Sequence, residues 1–326
     1  MTDYGSAIRE AFSYLLSTHA NVFCIGQGLW SPWYVGNTMT NLEKDFGKAR
    51  VLDTPVSELA TTGAALGAAL AGYRPIVVHP RLDFMLLATD QIVTQAAYWS
   101  SMFGGRSGVP VTVRGIVNRG GEQGAQHSQA LHAWFAHIPG LRVVMPATPQ
   151  DARDLLVASV LCDDPVLYID DRWLYDLNAR LPPIVERDLR LEGASIRRSG
   201  SAVTIVGASF SAELARRAGE LLAADGIDAE VIDLRIVNPI DYGTVLASIR
   251  RTRHLVVVDG GYGPCGLAAE IIAAVSCDRS GPGLAAPPAR VTLPFAPAPT
   301  SAPLEKAYYP VERDVVAAAR QVLGLD

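Results

Sequence analysis

Residues 51–72, VLDTPVSELATTGAALGAALAG, decide how the rest of the chain is read. Val51 and Leu52 end a strand, Thr54-Pro55 makes a turn because proline cannot donate to a strand ladder, and Ser57 is placed to cap a helix. Glu58 then falls in the first helical turn. From Ala60 onward the side chains are mostly Ala, Gly, Thr and Leu, with Gly63 and Gly67 on one face, so the pattern predicts close approach of another helix or backbone there. Each helical glycine costs roughly 1 kcal/mol relative to alanine, and close packing is the expected compensation. On position alone Glu58 has two readings. It complements the helix dipole, an effect of about 0.3–1 kcal/mol, or it does acid–base chemistry.

Outward from this stretch, strands alternate with helices. Residues 4–18 read as a helix, 22–25 as a strand, 29–41 as an aromatic-rich ordered loop, 74–79 as a strand and 86–102 as a helix. A strand over 109–114 leads into a glycine-rich loop, 115–124, which carries no GKS/T and so is no nucleotide P-loop; His127 follows it. A helix at 131–137, a strand at 141–145, a helix at 149–162 capped by Thr148 and a strand at 166–170 complete the first half. Such alternation implies a parallel sheet covered on both faces. The pattern is weakest over 171–199. It restarts with strands at 203–206, 229–234, 255–258 and 290–294 and helices at 211–225, 242–250, 266–275 and 315–323. The expected organisation is a domain over 1–185, a linker over 186–200 and a second α/β domain over 201–326.

Composition narrows the class. The 326 residues suffice for two cored domains, and the net charge of −5, with no basic stripe, excludes nucleic acid as the expected partner. Cys24, Cys162, Cys265 and Cys277 lie far apart without a CxxC pair, which favours a reducing compartment. The start MTDYGSAIREAF has no signal-peptide pattern, and the apolar run 60–78 is broken by glycines, Tyr73, Arg74 and Pro75. A cytoplasmic chain without membrane contact is the expectation. Residues 261–266, GYGPCG, fit GxGxxG but lack the acid about 20 residues on, so they read as a packing turn. GASFS at 207–211 lacks the second glycine of a nucleophile elbow. His127, His132 and His137 are five apart, so they share no helix face and no zinc site is expected.

Several stretches together carry a family resemblance. DTPVSE at 53–58, the small-residue helix after it, AxDQIVxxAA at 88–97, QHSQ at 126–129 and AWFAHIPGLRVVMPATPQDA at 133–152 resemble the β subunit of thiamine diphosphate-dependent 2-oxoacid dehydrogenases of the pyruvate and branched-chain type, in the transketolase-like superfamily. DLRIVNPID, LVVVDGG, AEI at 269–271 and LEKAYYP continue the likeness. The resemblance implies an α/β pyrimidine-binding domain of the thiamine diphosphate fold, then a transketolase C-terminal-like α/β domain. It implies an α2β2 heterotetramer with the cofactor between unlike subunits. On it, Glu58 hydrogen-bonds the aminopyrimidine ring and favours the imino tautomer that removes the thiazolium proton. Phe84 matches the residue that stacks on the pyrimidine, a core phenylalanine being the other reading. His127 matches a histidine that serves substrate or acyl transfer, and His137 a structural one. The GDG-to-Asn run that binds Mg²⁺ and diphosphate is missing here and belongs to the α subunit, so no metal is expected on this chain.

Three departures bear on the substrate. Gln27 stands where the family has a glutamate near the cofactor, and His79-Pro80-Arg81 replaces an acidic-then-apolar run. Arg81 faces the substrate mouth, where it pairs with a carboxylate or phosphate, or else it makes a surface ion pair. Cys162 replaces an acid near a monovalent-cation site of some members. Three functions follow from the residues and the resemblance together: decarboxylation of a small 2-oxoacid with acyl transfer to a lipoyl-bearing acyltransferase or carrier protein; transfer of a two-carbon ketol unit from a sugar phosphate by a split transketolase-like enzyme; or a silent scaffold for an active partner.

Overall fold

A computed structural model describes residues 1–325; Asp326, the last position of the expected second domain, lies outside the described residues. The chain divides into two compact units, Met1–Arg119 with Trp134–Glu192, and Gly120–Ala133 with Gly193–Asp326. Residues 120–133 thus pack with the second unit, although they lie within the 1–185 expected as one domain. The second unit also starts earlier than 201, because the strand Ser195–Arg198 sits inside the expected linker and pairs antiparallel with Ala229–Asp233.

In the first unit six strands lie side by side, all parallel: Arg142–Val144, Val166–Asp171, Thr112–Val117, Arg74–His79, Val22–Gly26 and Val51–Asp53. Register places Gly26 opposite both Asp53 and Val78, and His79 opposite Gly115. The carboxyl ends of these strands therefore line up, the place where open parallel sheets bind ligands. Thr112–Val117 and Val166–Asp171 are buried at every residue, as central strands covered on both faces must be. Tyr4–Thr18 packs on Pro149–Leu161; Asp3 caps the first by accepting from the Ser6 amide at 2.7 Å, and Thr148 the second through the Asp151 amide at 3.0 Å.

Local expectations change at several places. Ser57 holds the cap position of Glu58–Leu70, but its side chain makes no cap hydrogen bond. Among the described residues no backbone comes within 4 Å of a carbon added to either helical glycine: one on Gly63 would meet only the Gln91 Cγ at 3.6 Å, and one on Gly67 nothing. The helix expected over 86–102 starts at Leu82–Met85 and runs through a 3₁₀ turn, Leu86–Ala88, and a π-helical stretch, Asp90–Ala97, to Tyr98–Met102. The strand expected over 109–114 begins at Thr112 and continues to Val117; Gly115 lies within it because a β-carbon there would sit 2.8 Å from Leu82 Cδ1. The loop at 29–41 contains an extended segment, Tyr34–Asn37, and a short helix follows at Leu42–Phe46.

At the end of Pro149–Leu161, Arg74 donates to the carbonyls of Val160 (3.1 Å) and Cys162 (2.8 Å) and pairs with Asp163. A guanidinium of the chain itself thus satisfies this helix C-terminus beside Cys162.

The second unit has a five-stranded sheet in the order Ser195–Arg198, Ala229–Asp233, Val203–Gly207, Leu255–Tyr262 and Ala289–Leu293, parallel except at the first strand. Its core joins Val203, Ile205, Leu214, Val231, Val256 and Val315. Gly207 permits a tight strand-to-helix turn, since a β-carbon there would lie 2.8 Å from the Ala212 amide. GYGPCG is a packing turn too: Asp259 accepts from the amides of Gly261 (2.9 Å) and Ala268 (3.0 Å). Among the described residues no helix is long and apolar enough to cross a membrane.

Candidate functional site

Glu58 opens the helix that follows the edge strand Val51–Asp53, and the side chain is buried at 7 % exposure. Among the described residues its carboxylate accepts no hydrogen bond and joins no ion pair. A dipole-complementing acid would sit in water, where it costs nothing to keep charged. The residue is mostly enclosed, yet its carboxylate oxygens are left without a partner among those residues and open to a donor from outside the chain. The helix N-terminus supplies part of the stabilisation of its charge.

One turn on, Thr62 holds His79 through a 3.1 Å contact between Oγ1 and Nε2. His79 ends the strand Arg74–His79 and is buried, so it braces the Glu58 helix against the sheet instead of facing a substrate mouth. Burial disfavours the imidazolium and pushes the group from its ordinary 6.5 down to about 4. The unfolded chain therefore takes up this proton first. Stability conferred by neutral His79 is complete above about pH 6.5 and is lost progressively as pH falls toward 4, by about 3 kcal/mol at 1.36 kcal/mol per unit. Urea unfolding at pH 7 and at pH 4.5 is expected to show wild type losing this increment relative to His79→Gln. Equal losses in both proteins would exclude it.

Pro80 and Arg81 lead from this strand into the short helix Leu82–Met85. Leu82, Asp83 and Met85 point inward and Phe84 outward, at 37 % exposure, so Phe84 is not a core residue. The helical stretch continues through Asp90–Ala97, and its later turns pack on Glu58–Leu70. On the neighbouring strand end, Gln27 donates through Nε2 to the Tyr34 hydroxyl at 2.9 Å. Asp53, which the sequence did not single out, accepts from the Gly28 amide at 2.6 Å and ties this turn to the strand before Glu58. Gly28 has φ +69 and lies against the Tyr34 ring, so the turn needs glycine.

Gln27, Glu58, His79, Arg81 and Phe84 therefore follow three adjacent strand ends of the first unit. His127 belongs to the second. It is half-buried on a loop fastened at both ends within that unit. Glu122 donates its amide to the Glu305 carboxylate at 3.0 and 3.2 Å and accepts from the Ala302 amide at 3.1 Å. Beyond His127, His132 is buried with Nε2 2.9 Å from Asp259 Oδ1. Burial opposes the charge of Asp259, but His132 and the two amides outweigh it and hold the carboxyl below its ordinary range. His132 gave no sequence signal beyond its spacing, and His137, expected to be structural, lies exposed.

Comparison with known proteins identifies the two domains. Residues 1–176 match the transketolase pyrimidine binding domain and 192–315 the transketolase C-terminal domain. The chain is 38 % identical to the acetoin:2,6-dichlorophenolindophenol oxidoreductase subunit beta of Cupriavidus necator, over 97 % of this chain and 96 % of that one. It is 35 % identical to the pyruvate dehydrogenase E1 component subunit beta of Rickettsia felis, with coverage of 97 % and 96 %. Among solved structures, a split gene transketolase described as an inactive beta4 tetramer superposes with a TM-score of 0.78 over 99 % of both chains at 21 % identity, a likeness of fold. The chain belongs to the family of pyruvate dehydrogenase E1 and acetoin oxidoreductase β subunits, built from transketolase-type pyrimidine-binding and C-terminal domains.

Proposed function

We propose that the chain is the β subunit of a thiamine diphosphate-dependent enzyme that decarboxylates a small 2-oxoacid and passes the acyl unit to a lipoyl-bearing or carrier-protein acceptor. The observation that carries this reading is Glu58, a buried residue whose carboxylate has no partner among the described residues. An aminopyrimidine suits that position. It offers Glu58 a ring nitrogen to bind, and the outward face of Phe84 gives it an apolar plane to stack on. The bound cofactor supplies the electron sink for loss of the carboxyl group. Glu58 holds and shares the proton at the ring nitrogen. Phe84 orients the ring, Gln27 gives the rim a neutral amide, and His127 moves a proton at the substrate or acyl group. An α subunit carrying the GDG-to-Asn run holds the diphosphate and Mg²⁺.

Calorimetry with thiamine diphosphate and Mg²⁺ tests the split site, first on this chain and then on its complex with the α subunit. Micromolar binding confined to the complex, with carbon dioxide released from 2-oxoacids, is the expected result. No binding in either sample would overturn the cofactor assignment, and turnover of ketose phosphates without carbon dioxide would replace decarboxylation by ketol transfer.

A further inference from the structure

We propose that His132 and Asp259 are positioning residues for His127: the buried pair fixes the segment that carries His127 and so sets how that side chain is presented to the substrate or acyl group. This rests on the role given to His127 above and names what holds it in place.

The segment is pinned on both sides of His127, each time to the second unit. Ahead of it, Glu122 exchanges hydrogen bonds with Glu305 and the Ala302 amide. Gly124, with φ +71, lies so close to Thr300 that a β-carbon would sit 2.5 Å from its Oγ1. Behind it, Ala130, Leu131 and His132 are buried. A β-carbon on Gly261 would lie 3.2 Å from His132 Cε1 and 3.3 Å from the Ala130 carbonyl, so the absence of a side chain there lets the segment seat on the turn. Residues 125–129 alone span the two anchors, and the His127 amide donates to the Gly124 carbonyl at 3.4 Å.

The second anchor is directional. Asp259 and His132 are each 2 % exposed, with Nε2 2.9 Å from Oδ1. Asp259 lies on Leu255–Tyr262, an interior strand of its sheet, and accepts from the amides of Gly261 and of Ala268 in the helix Leu267–Cys277. Its carboxylate is thus fixed by the framework. An ionised carboxylate only accepts, so Nε2 carries the hydrogen. The other ring nitrogen, Nδ1, is buried and has no hydrogen-bond partner among the described residues, which leaves Asp259 as the group that orients the imidazole. An apolar contact would bury the same surface without fixing an orientation, whereas a satisfied buried polar bond selects one arrangement.

The test compares His132→Leu, His132→Gln, His127→Ala and the His127→Ala, His132→Leu double variant in the assembled enzyme. Leucine offers Asp259 no donor, and glutamine offers an N–H near the place of Nε2. His132→Leu is expected to lower kcat for acyl transfer about ten- to hundredfold, the loss that a misplacement on the order of 1 Å produces, and His132→Gln to restore most of it. Where alanine already replaces His127, His132→Leu should cost less than about twofold more, because residues acting through one group are not additive. A merely structural role would cost the same factor in both backgrounds, and that result, or an unchanged kcat in His132→Leu, would overturn the assignment. Hydrogen exchange on the full chain supplies a readout that needs no turnover. Amides of 125–129 should exchange about tenfold faster in His132→Leu than in wild type and near the wild-type rate in His132→Gln. Unchanged exchange in His132→Leu would overturn the positioning itself, whereas full activity of His127→Ala would overturn only the role given to His127, so the two failures are separable.

Discussion

Glu58→Gln in the assembled enzyme is expected to lower kcat by about 10²- to 10⁴-fold while leaving thermal stability equal to wild type or slightly higher. The amide keeps the shape of the side chain but no longer accepts a shared proton from the ring nitrogen. It also removes a charge that no group of the chain pairs with among the described residues, so its loss costs the fold little. The two readouts together separate chemistry from structure. A helix-dipole role would show as lost stability of about 0.3–1 kcal/mol with activity retained. A silent scaffold would show neither change, and that result would remove the catalytic assignment.

Much of this site was legible from residue order because it is built at strand ends. The turn at Thr54-Pro55, the acid after Ser57 and the strand Arg74–His79 are local patterns, and the parallel alternation brings successive strand ends to one edge. Burial was not legible. Nothing local distinguishes a solvated first-turn acid from the buried Glu58, or a rim histidine from the enclosed His79. The linker misled because Ser195–Arg198 carries two arginines and reads as surface, yet an edge strand tolerates such a sequence. Gly63 and Gly67 predicted a close approach, but among the described residues only the Gln91 side chain comes near, at Gly63. His132 escaped notice because its partner, Asp259, lies 127 positions away.

Arg114 is the residue whose loss should cost the fold most. A charged residue within VTVRGIV reads as a solvated position, but in the structure Arg114 and Asp170 are both fully buried on adjacent central strands. Nε and Nη2 of Arg114 reach the two Asp170 oxygens at 2.8 and 2.9 Å, and Thr38 and Tyr175 accept the remaining bonds at 2.9 Å each. Burial works against the guanidinium charge, but Asp170 and the surrounding hydroxyls more than offset it and hold Arg114 above its ordinary value. Replacing this pair by apolar residues of similar volume would cost the fold little, whereas removing one partner strands the other charge in the core. Arg114→Met is therefore expected to destabilise the first unit by about 3–5 kcal/mol, a large share of the roughly 5–15 kcal/mol that holds a domain together. The matching fall in the first thermal transition is on the order of 10 °C. Arg114→Met with Asp170→Leu should recover part of the loss, because neither charge is then left alone. A double variant no more stable than the single one would mean that Thr38 and Tyr175, not the stranded carboxylate, carry the cost.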